Sequence, residues 1–115
     1  MDAGHDFFAR LDDLVGGSRY RLERPRGTEH PRLSGVIYPV DYGYLVGTRG
    51  GDGDGVDVFR GTSGDGVVAA ALTADLVKRD VEVKILVGCT TQEIAAVKHF
   101  LGDVLGIGGL IVERG

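Results

Sequence analysis

The chain has 115 residues, of which 43% are hydrophobic and 26% charged, and its formal net charge is −4 at pH 7. This length and balance predict one globular domain over residues 1–115 with a single modest core, and they exclude a disordered chain. The acidic balance argues against a nucleic-acid partner, which would need a basic patch. No apolar run approaches the roughly 20 residues that span a bilayer, and no secretion signal opens the sequence, so we expect a cytoplasmic protein without a membrane partner.

Glycine and cysteine usage narrows the fold class further. Twenty glycines against three prolines indicate many tight turns, which favours short strands. The single cysteine, Cys89, excludes an internal disulfide framework and has no cysteine partner for a zinc site. We therefore expect an inert, partly buried thiol.

The first two predicted elements differ in their hydrophobic period. Residues 6–15 predict a short amphipathic helix that ends at Gly16-Gly17. Its apolar stripe consists of Phe7, Leu11, Leu14 and Val15. Phe8 lies off this stripe, where it is available for a subunit contact. Residues 18–23 alternate between apolar and charged side chains, which predicts a strand.

A polar loop over residues 24–32 follows and carries Arg24, Arg26 and Arg32. Guanidinium groups suit phosphate oxygens because their donors form a fixed fork. Charge runs on loops are more often only solvated surface, so the loop by itself leaves both interpretations open.

The segment over residues 36–45 holds three tyrosines, Tyr38, Tyr42 and Tyr44. Tyrosines at even spacing fall on one face of a strand, which would present their hydroxyls together. Such a cluster is also common in cores, where each ring packs and each hydroxyl finds one partner.

An acidic, glycine-rich turn over residues 50–58 places Asp52, Asp54 and Asp57 within six positions and then leads into a strand. Carboxylates this close repel one another unless a cation lies between them, and hard cations such as Mg²⁺ take oxygen ligands. The turn therefore predicts either a metal site or a solvated acidic turn. The positions do not match a calcium-binding EF-hand, and the strand pattern that follows disfavours a dinucleotide-binding glycine loop.

Two further strands are predicted after a turn over residues 61–66. Residues 67–77 are apolar enough for a strand buried on both faces, although their alanines leave a helix open. In residues 78–87, Asp80, Glu82 and Lys84 alternate with apolar residues, so one face displays two carboxylates and an ammonium group. That face suits a metal ion with a phosphate, or it is the wet face of a surface strand.

The C-terminal part predicts one helix and one strand. Thr90-Thr91-Gln92-Glu93 is a capping box before an apolar helical stripe, and Gly102 is expected to end the helix. Residues 108–112 should form the last strand. The three histidines show no metal-ligand spacing.

Four segments in this order resemble the soluble (family I) inorganic pyrophosphatases, whose signature is D-x-D-x-x-D shortly after Y-P-x-x-Y-G-Y. The segments are Glu23-Arg24-Pro25, Tyr38-Pro39-Val40-Asp41-Tyr42-Gly43-Tyr44, Gly51-Asp52-Gly53-Asp54-Gly55-Val56-Asp57-Val58 and Asp80 to Lys84. The likeness covers residues 22–84. It implies a mainly β (α+β) fold, a small closed OB-like β-barrel with an N-terminal and a C-terminal helix. It also implies hydrolysis of pyrophosphate with Mg²⁺, or with Mn²⁺ in its place, and it leaves a homo-oligomer open.

The resemblance implies a role for each matching position. Asp54 corresponds to the general base, and Tyr42 to a tyrosine that assists the base and the attacking water. The implied metal ligands are Asp52, Asp54, Asp57, Asp80 and Glu82, with Asp75 as a reserve. The implied substrate-binding residues are Glu23, Arg24, Arg26, Arg32, Tyr38 and Lys84.

Two departures concern the leaving-phosphate side of the implied site. A family hairpin that supplies a lysine, a glutamate and an arginine is replaced by a short loop, in which the arginines can substitute. The family's Tyr-Lys pair on the C-terminal helix is absent, since Val104-Leu105 fall there. Two alternatives therefore stand beside pyrophosphate hydrolysis: hydrolysis of another small phosphoanhydride, and an inactive barrel that binds metal or phosphate.

Overall fold

The computed structural model of the chain describes residues 2–51 and 53–115. Six strands form one sheet, against which two helices and a π-helical turn pack. In chain order the elements are α1 Ala3–Gly16, β1 Tyr20–Arg24, β2 Asp41–Leu45, β3 Val56–Arg60, β4 Val67–Asp75, β5 Asp80–Val87, α2 Thr91–His99, the π-helical turn Phe100–Val104, and β6 Gly108–Glu113.

The sheet is mixed, with strand order β1-β2-β3-β5-β4-β6. Neighbours are antiparallel except β3 and β5, which run parallel. The α+β composition and the two terminal helices agree with the sequence prediction. The predicted closure into a barrel is not part of this pattern, since over residues 2–51 and 53–115 no ladder joins β1 to β6.

Helix α1 begins three residues before its predicted start, because Asp2 caps it and accepts a hydrogen bond from the Gly4 N–H at 3.0 Å. The sequence predicted Phe7 on the apolar stripe of this helix and Phe8 off it, and this prediction is wrong. Phe8 is buried at 4% exposure, whereas Phe7 is 39% exposed. Phe8 shares a helix face with Leu11 and Val15, at i+3 and i+7, and the sheet packs against this face rather than against the face of Phe7.

The tyrosine segment forms a strand only in its second half, from Asp41 onward. Pro39 has no N–H to donate, so the chain before it cannot continue the ladder. Residues 36–40 instead pack against the arginine loop, where Tyr38 donates its N–H to Thr28 and accepts one from Gly27.

Strands β4 and β5 form a long hairpin, which confirms a strand rather than a helix over residues 67–75. The hairpin turn begins two residues earlier than predicted because the Asp75 carboxylate accepts the N–H groups of Val77 and Lys78 at 2.9 and 3.0 Å. The turn leaves Leu76 and Val77 more than nine-tenths exposed.

The capping box of α2 is present as predicted, with Thr90 and Glu93 bonded to each other's backbone. The helical run does not end at Gly102, however. It continues as a π-helical turn, closed by a 2.8 Å hydrogen bond from Leu105 N–H to the Phe100 carbonyl, and Gly106 then adopts a φ of 66°. That left-handed backbone angle is open to glycine without strain, so the run ends there.

The sheet separates two apolar clusters. Helix α1 covers one face through Phe8 and Leu11, which pack with Val58 and Ile85. Helix α2 and the π-helical turn cover the other face, where Phe59, Leu86 and their neighbours are fully buried. Cys89 is buried as well, and burial raises the pKa of its thiol to about 12, which keeps it protonated and inert. No helix in the described part of the chain is long and apolar enough to cross a membrane.

Gly43 in β2 is a position where only glycine fits. A Cβ atom there would collide with the Arg21 carbonyl and lie 2.8 Å from the Tyr20 ring. We expect Gly43→Ala to destabilise the protein by about 1–3 kcal/mol, since the backbone of β1 would have to move. Denaturant unfolding would measure this, with Gly16→Ala as the control because its Cβ would meet nothing within 4 Å. Equal unfolding midpoints for the two variants would contradict the prediction.

Glu93 joins α2 to the turn after β3, since its carboxylate accepts hydrogen bonds from Thr90 N–H, Thr62 N–H and the Thr62 hydroxyl. We expect Glu93→Ala to cost about 1 kcal/mol at pH 7, while Gln92→Ala, one residue away, costs little.

The cost of Glu93→Ala should depend on pH. Burial opposes ionisation of Glu93, but the hydrogen bonds outweigh it, so its pKa lies below the ordinary 4.5. The stabilisation is therefore complete above pH 4.5 and is lost as the pH falls toward the lowered pKa of the folded state. The free energies of unfolding of wild type and Glu93→Ala should therefore become equal in acid. A difference between them that stays constant down to about pH 2 would refute this.

Candidate active site

A polar cleft of 470 Å³ opens between β2, β3, β5 and the arginine loop. Eight of the residues selected from the sequence line it: Glu23, Arg24, Arg32, Tyr42, Asp54, Asp57, Glu82 and Lys84. Acidic side chains from the acidic turn and β5 therefore share one cavity with cationic side chains from the loop. Charges of both signs in one cleft can hold a metal ion together with an anionic ligand.

Strand register brings the central residues together. Tyr44 of β2 is paired with Asp57 of β3, and Val58 is paired with Ile85 of the parallel strand β5. Asp57 and Lys84, each one position earlier in the chain, are therefore neighbours on one sheet face. Glu82 lies two residues before Lys84 and points the same way.

Lys84 bridges two carboxylates. Its ammonium group lies 2.7 Å from Asp57 Oδ2 and 2.9 Å from Glu82 Oε2, and all three side chains are largely buried. Burial opposes the charged form of Lys84, but the two carboxylates outweigh it and raise the pKa of the ammonium group. The polar face of β5 thus points into the protein, which excludes its interpretation as a solvated surface for Glu82 and Lys84.

Tyr42 is held beside this ion pair. Burial, followed by the charge of Asp57 and a hydrogen bond to it, raises the pKa of the Tyr42 phenol well above its ordinary value. The Lys84 ammonium group also lies 5.9 Å from the centre of the Tyr42 ring. The phenol therefore keeps its proton at neutral pH and is a hydrogen-bond donor in the cleft.

The cationic wall of the cleft consists of Arg24 at the end of β1, Arg32 in the loop that follows, and Lys78 in the turn between β4 and β5. Arg24 donates to the Tyr38 hydroxyl at 2.7 Å and lies over the Tyr38 ring at 5.6 Å, so its guanidinium is fixed in place. Within residues 2–51 and 53–115, neither Arg32 nor Lys78 forms an ion pair with a carboxylate. These two cations are available to an anion that enters the cleft.

Four residues selected from the sequence are placed differently. Tyr38 does not line the cleft but is buried behind Arg24 as its support. Arg26 lines a separate depression beside α2, and Asp80 and the reserve residue Asp75 line one at the β4–β5 hairpin. Asp52 lies outside the described residues.

The cleft also contains residues that sequence reasoning missed as site residues: His30, Tyr44 and Lys78. His30 stacks on Tyr38, and burial together with the charges of Arg24, Arg32 and Lys78 lowers the pKa of its imidazole, so it is neutral at pH 7. Lys78 could have been suspected because it lies in the turn just before the strand that carries Glu82 and Lys84. Its position in the sequence does not show, however, which cavity its side chain enters.

The donor chemistry of the cleft fits Mg²⁺, since Asp54, Asp57 and Glu82 offer hard oxygen ligands in one cavity. No group of three acidic, histidine or cysteine side chains converges among the described residues. Mg²⁺ is commonly held by one or two carboxylates with water and substrate phosphates rather than by a cage of protein ligands. The arrangement is therefore compatible with an ion that binds together with its anionic ligand.

Comparison with known proteins yields a likeness of fold. No family model matches the sequence, and no curated protein matches it. Among solved structures, the chain resembles a phosphatase in its fold. That structure is an inorganic phosphatase from Anaplasma phagocytophilum, with a TM-score of 0.51 and 16% identity over 84% of this chain and 74% of that one. At this identity the likeness concerns the fold alone.

Proposed function

We propose that this chain hydrolyses inorganic pyrophosphate to two phosphates with Mg²⁺ as its cofactor. The observation that carries the proposal is that one cleft is lined both by the carboxylates Asp54, Asp57 and Glu82, which we call its acidic end, and by cations that include Arg32 and Lys78. Pyrophosphate with bound divalent ions carries charges of both signs and complements such a cleft. The fold likeness to an inorganic phosphatase is consistent with this function.

Within this proposal the acidic end prepares the attacking water. Asp57 and Glu82 would hold Mg²⁺, together with Asp52 from the acidic turn, and with Asp80 or Asp75 only if the hairpin moved toward the cleft. The ion would supply charge that lowers the pKa of a water molecule and offsets the charge of the phosphate oxygens. Asp54 accepts one proton of the attacking water, and the Tyr42 hydroxyl, which donates its own proton to Asp57, accepts a hydrogen bond from the same water and orients it.

The cationic wall holds the leaving phosphate. Arg24, fixed by the Tyr38 hydroxyl, presents its guanidinium from one side, while Arg32 and Lys78 are free to move onto the phosphate oxygens. Lys84 balances Asp57 and Glu82 until the substrate binds and then contacts phosphate. Glu23 lies on the rim, and Arg26 would contribute only through the electrostatic field of the loop.

The test is phosphate release from pyrophosphate by the purified full chain across a range of Mg²⁺ and Mn²⁺ concentrations. We expect metal-dependent release that saturates with pyrophosphate. No release at any metal concentration would overturn the proposal. A panel of other small phosphoanhydrides in the same assay identifies a substrate other than pyrophosphate if one of them reacts faster.

A non-catalytic binding function is favoured by one observation. Lys84 pairs with both Asp57 and Glu82, so one of their two negative charges is already balanced and less charge remains to hold the metal ions that would activate water. Calorimetry that shows tight binding of Mg²⁺ and pyrophosphate, combined with no phosphate release, would establish that function in place of hydrolysis.

A further inference from the structure

A second cavity of 350 Å³ adjoins the polar cleft. The two cavities share six lining residues: Arg24, His30, Arg32, Tyr42, Lys78 and Lys84. The shared wall carries the cations that are available to phosphate. The second cavity, which we call the apolar compartment, therefore opens directly onto the place where the leaving phosphate would lie.

Apart from Asp75, the other walls of the apolar compartment are hydrocarbon. The π-helical turn and the residues after it contribute Leu101, Leu105 and Ile107, and two loops contribute Leu33 and Val77. Leu33 is 44% and Val77 93% exposed, so much of this apolar surface faces water in the absence of a ligand. Burying it against a hydrocarbon ligand is favourable by the hydrophobic effect.

We propose that the apolar compartment binds the hydrocarbon group of an organic diphosphate whose two phosphates lie against the shared cations. This proposal rests on the proposed function, because the terminal phosphate takes the place of the phosphate that is attacked. Hydrolysis adds one water to the terminal phosphorus and breaks the bridging P–O bond. The products are inorganic phosphate, the organic monophosphate and the proton released from water.

The compartment suits a hydrocarbon better than a nucleobase. Reading a base requires hydrogen-bonding groups directed at its edge, and Asp75 is the only carboxylate among the described residues that line the compartment. Its Oδ1 already accepts the N–H groups of Val77 and Lys78. The volume lies in the range of small-molecule sites, at about 300–1,000 Å³.

The experiment compares two diphosphate monoesters of equal charge, methyl diphosphate and isopentenyl diphosphate. Each buried methylene contributes about fourfold in affinity, so partial burial of the longer chain should give at least about tenfold tighter binding. Calorimetry of the full chain with Mg²⁺ measures both dissociation constants. The titrations are repeated in Asp54→Asn so that turnover contributes no heat. Adenosine diphosphate serves as the third ligand.

Matched variants test whether the apolar compartment causes the preference for isopentenyl diphosphate over methyl diphosphate. Val77→Ser with Leu105→Ser should reduce the affinity ratio toward one. The control, Leu76→Ser with Val104→Ser, changes the preceding residue at each place, and neither of these lines the compartment. Because Leu105 is half-buried, Val77→Ser alone provides a variant that does not threaten folding, and it should lower the ratio by about twofold to fourfold.

Each outcome decides between the two proposals. A tenfold preference that survives in the control and falls in the compartment variants supports the apolar compartment. Equal affinity for the two monoesters, or tighter binding of adenosine diphosphate than of isopentenyl diphosphate, overturns it. Pyrophosphate hydrolysis without the preference overturns this inference alone, whereas the preference without any phosphate release overturns the proposed hydrolysis and leaves the compartment standing.

Discussion

Replacing Lys84 by methionine is expected to destabilise the protein by about 3–5 kcal/mol. The substitution keeps an unbranched side chain of similar length but removes the ammonium group that bridges Asp57 and Glu82 at 2.7 and 2.9 Å. Two largely buried carboxylates then lose the cation that pairs with both of them, and buried charge is costly when its partner is removed. Denaturant unfolding at pH 7 measures the loss.

The loss in Lys84→Met should be partly reversed by Mg²⁺. A ligand that binds only the folded state stabilises it in proportion to the logarithm of its concentration over its dissociation constant. Since Asp57 and Glu82 would lose the ammonium group that they share, Mg²⁺ should raise the unfolding midpoint of Lys84→Met more than that of wild type. Lys98→Met, at an exposed position of α2, is the matched control and should respond like wild type. An unchanged midpoint in Mg²⁺ would refute the assignment of these carboxylates as ligands.

The sequence predicted the elements of the fold well wherever local chemistry decides them. The capping box of α2 and the alternation in β5 are local patterns, and both appear in the structure. Errors occur where tertiary contacts decide. The helical stripe of α1 included Phe7 instead of Phe8, because two neighbouring aromatics satisfy the spacing almost equally and only the packing against Val58 and Ile85 selects one.

The sequence also could not predict whether the polar face of β5 points into the protein or into solvent. The alternation of Glu82 and Lys84 with Val81 and Val83 ordinarily places the charged residues in water. The structure buries the charged pair and leaves Val81 70% exposed. The cause is a distant residue, Asp57 on β3, which completes the ion pair and makes burial of Lys84 tolerable. Only the parallel pairing of β3 with β5 brings that partner into reach.

The residues of the candidate site were likewise predicted only in part from the sequence. Short-range motifs identified Asp54, Asp57 and Tyr42, which do line one cleft. Residue spacing could not show which arginines face these three residues. The folded backbone directs Arg24 and Arg32 into the cleft and Arg26 toward α2. The apolar compartment depends on the π-helical turn, whose extra residue per turn no sequence pattern here indicated.

Replacing Asp54 by asparagine is expected to reduce the rate of phosphate release from pyrophosphate by about 10²–10⁴-fold, the usual contribution of a general base. Asparagine has nearly the same shape, but its amide does not accept a proton from water at neutral pH. Denaturant unfolding of the same variant separates a loss of stability from a loss of catalysis. Rates are measured at saturating pyrophosphate and Mg²⁺.

The control for Asp54→Asn is Asp13→Asn, which removes an exposed carboxylate from α1 outside the cleft. It changes the net charge by the same amount, so any effect of overall charge on association with the substrate is shared by both variants. A base acts on the chemical step, so the loss in Asp54→Asn should fall on kcat more than on KM. If both variants keep full activity, Asp54 is not the base; if KM alone rises, Asp54 holds the substrate and another group accepts the proton.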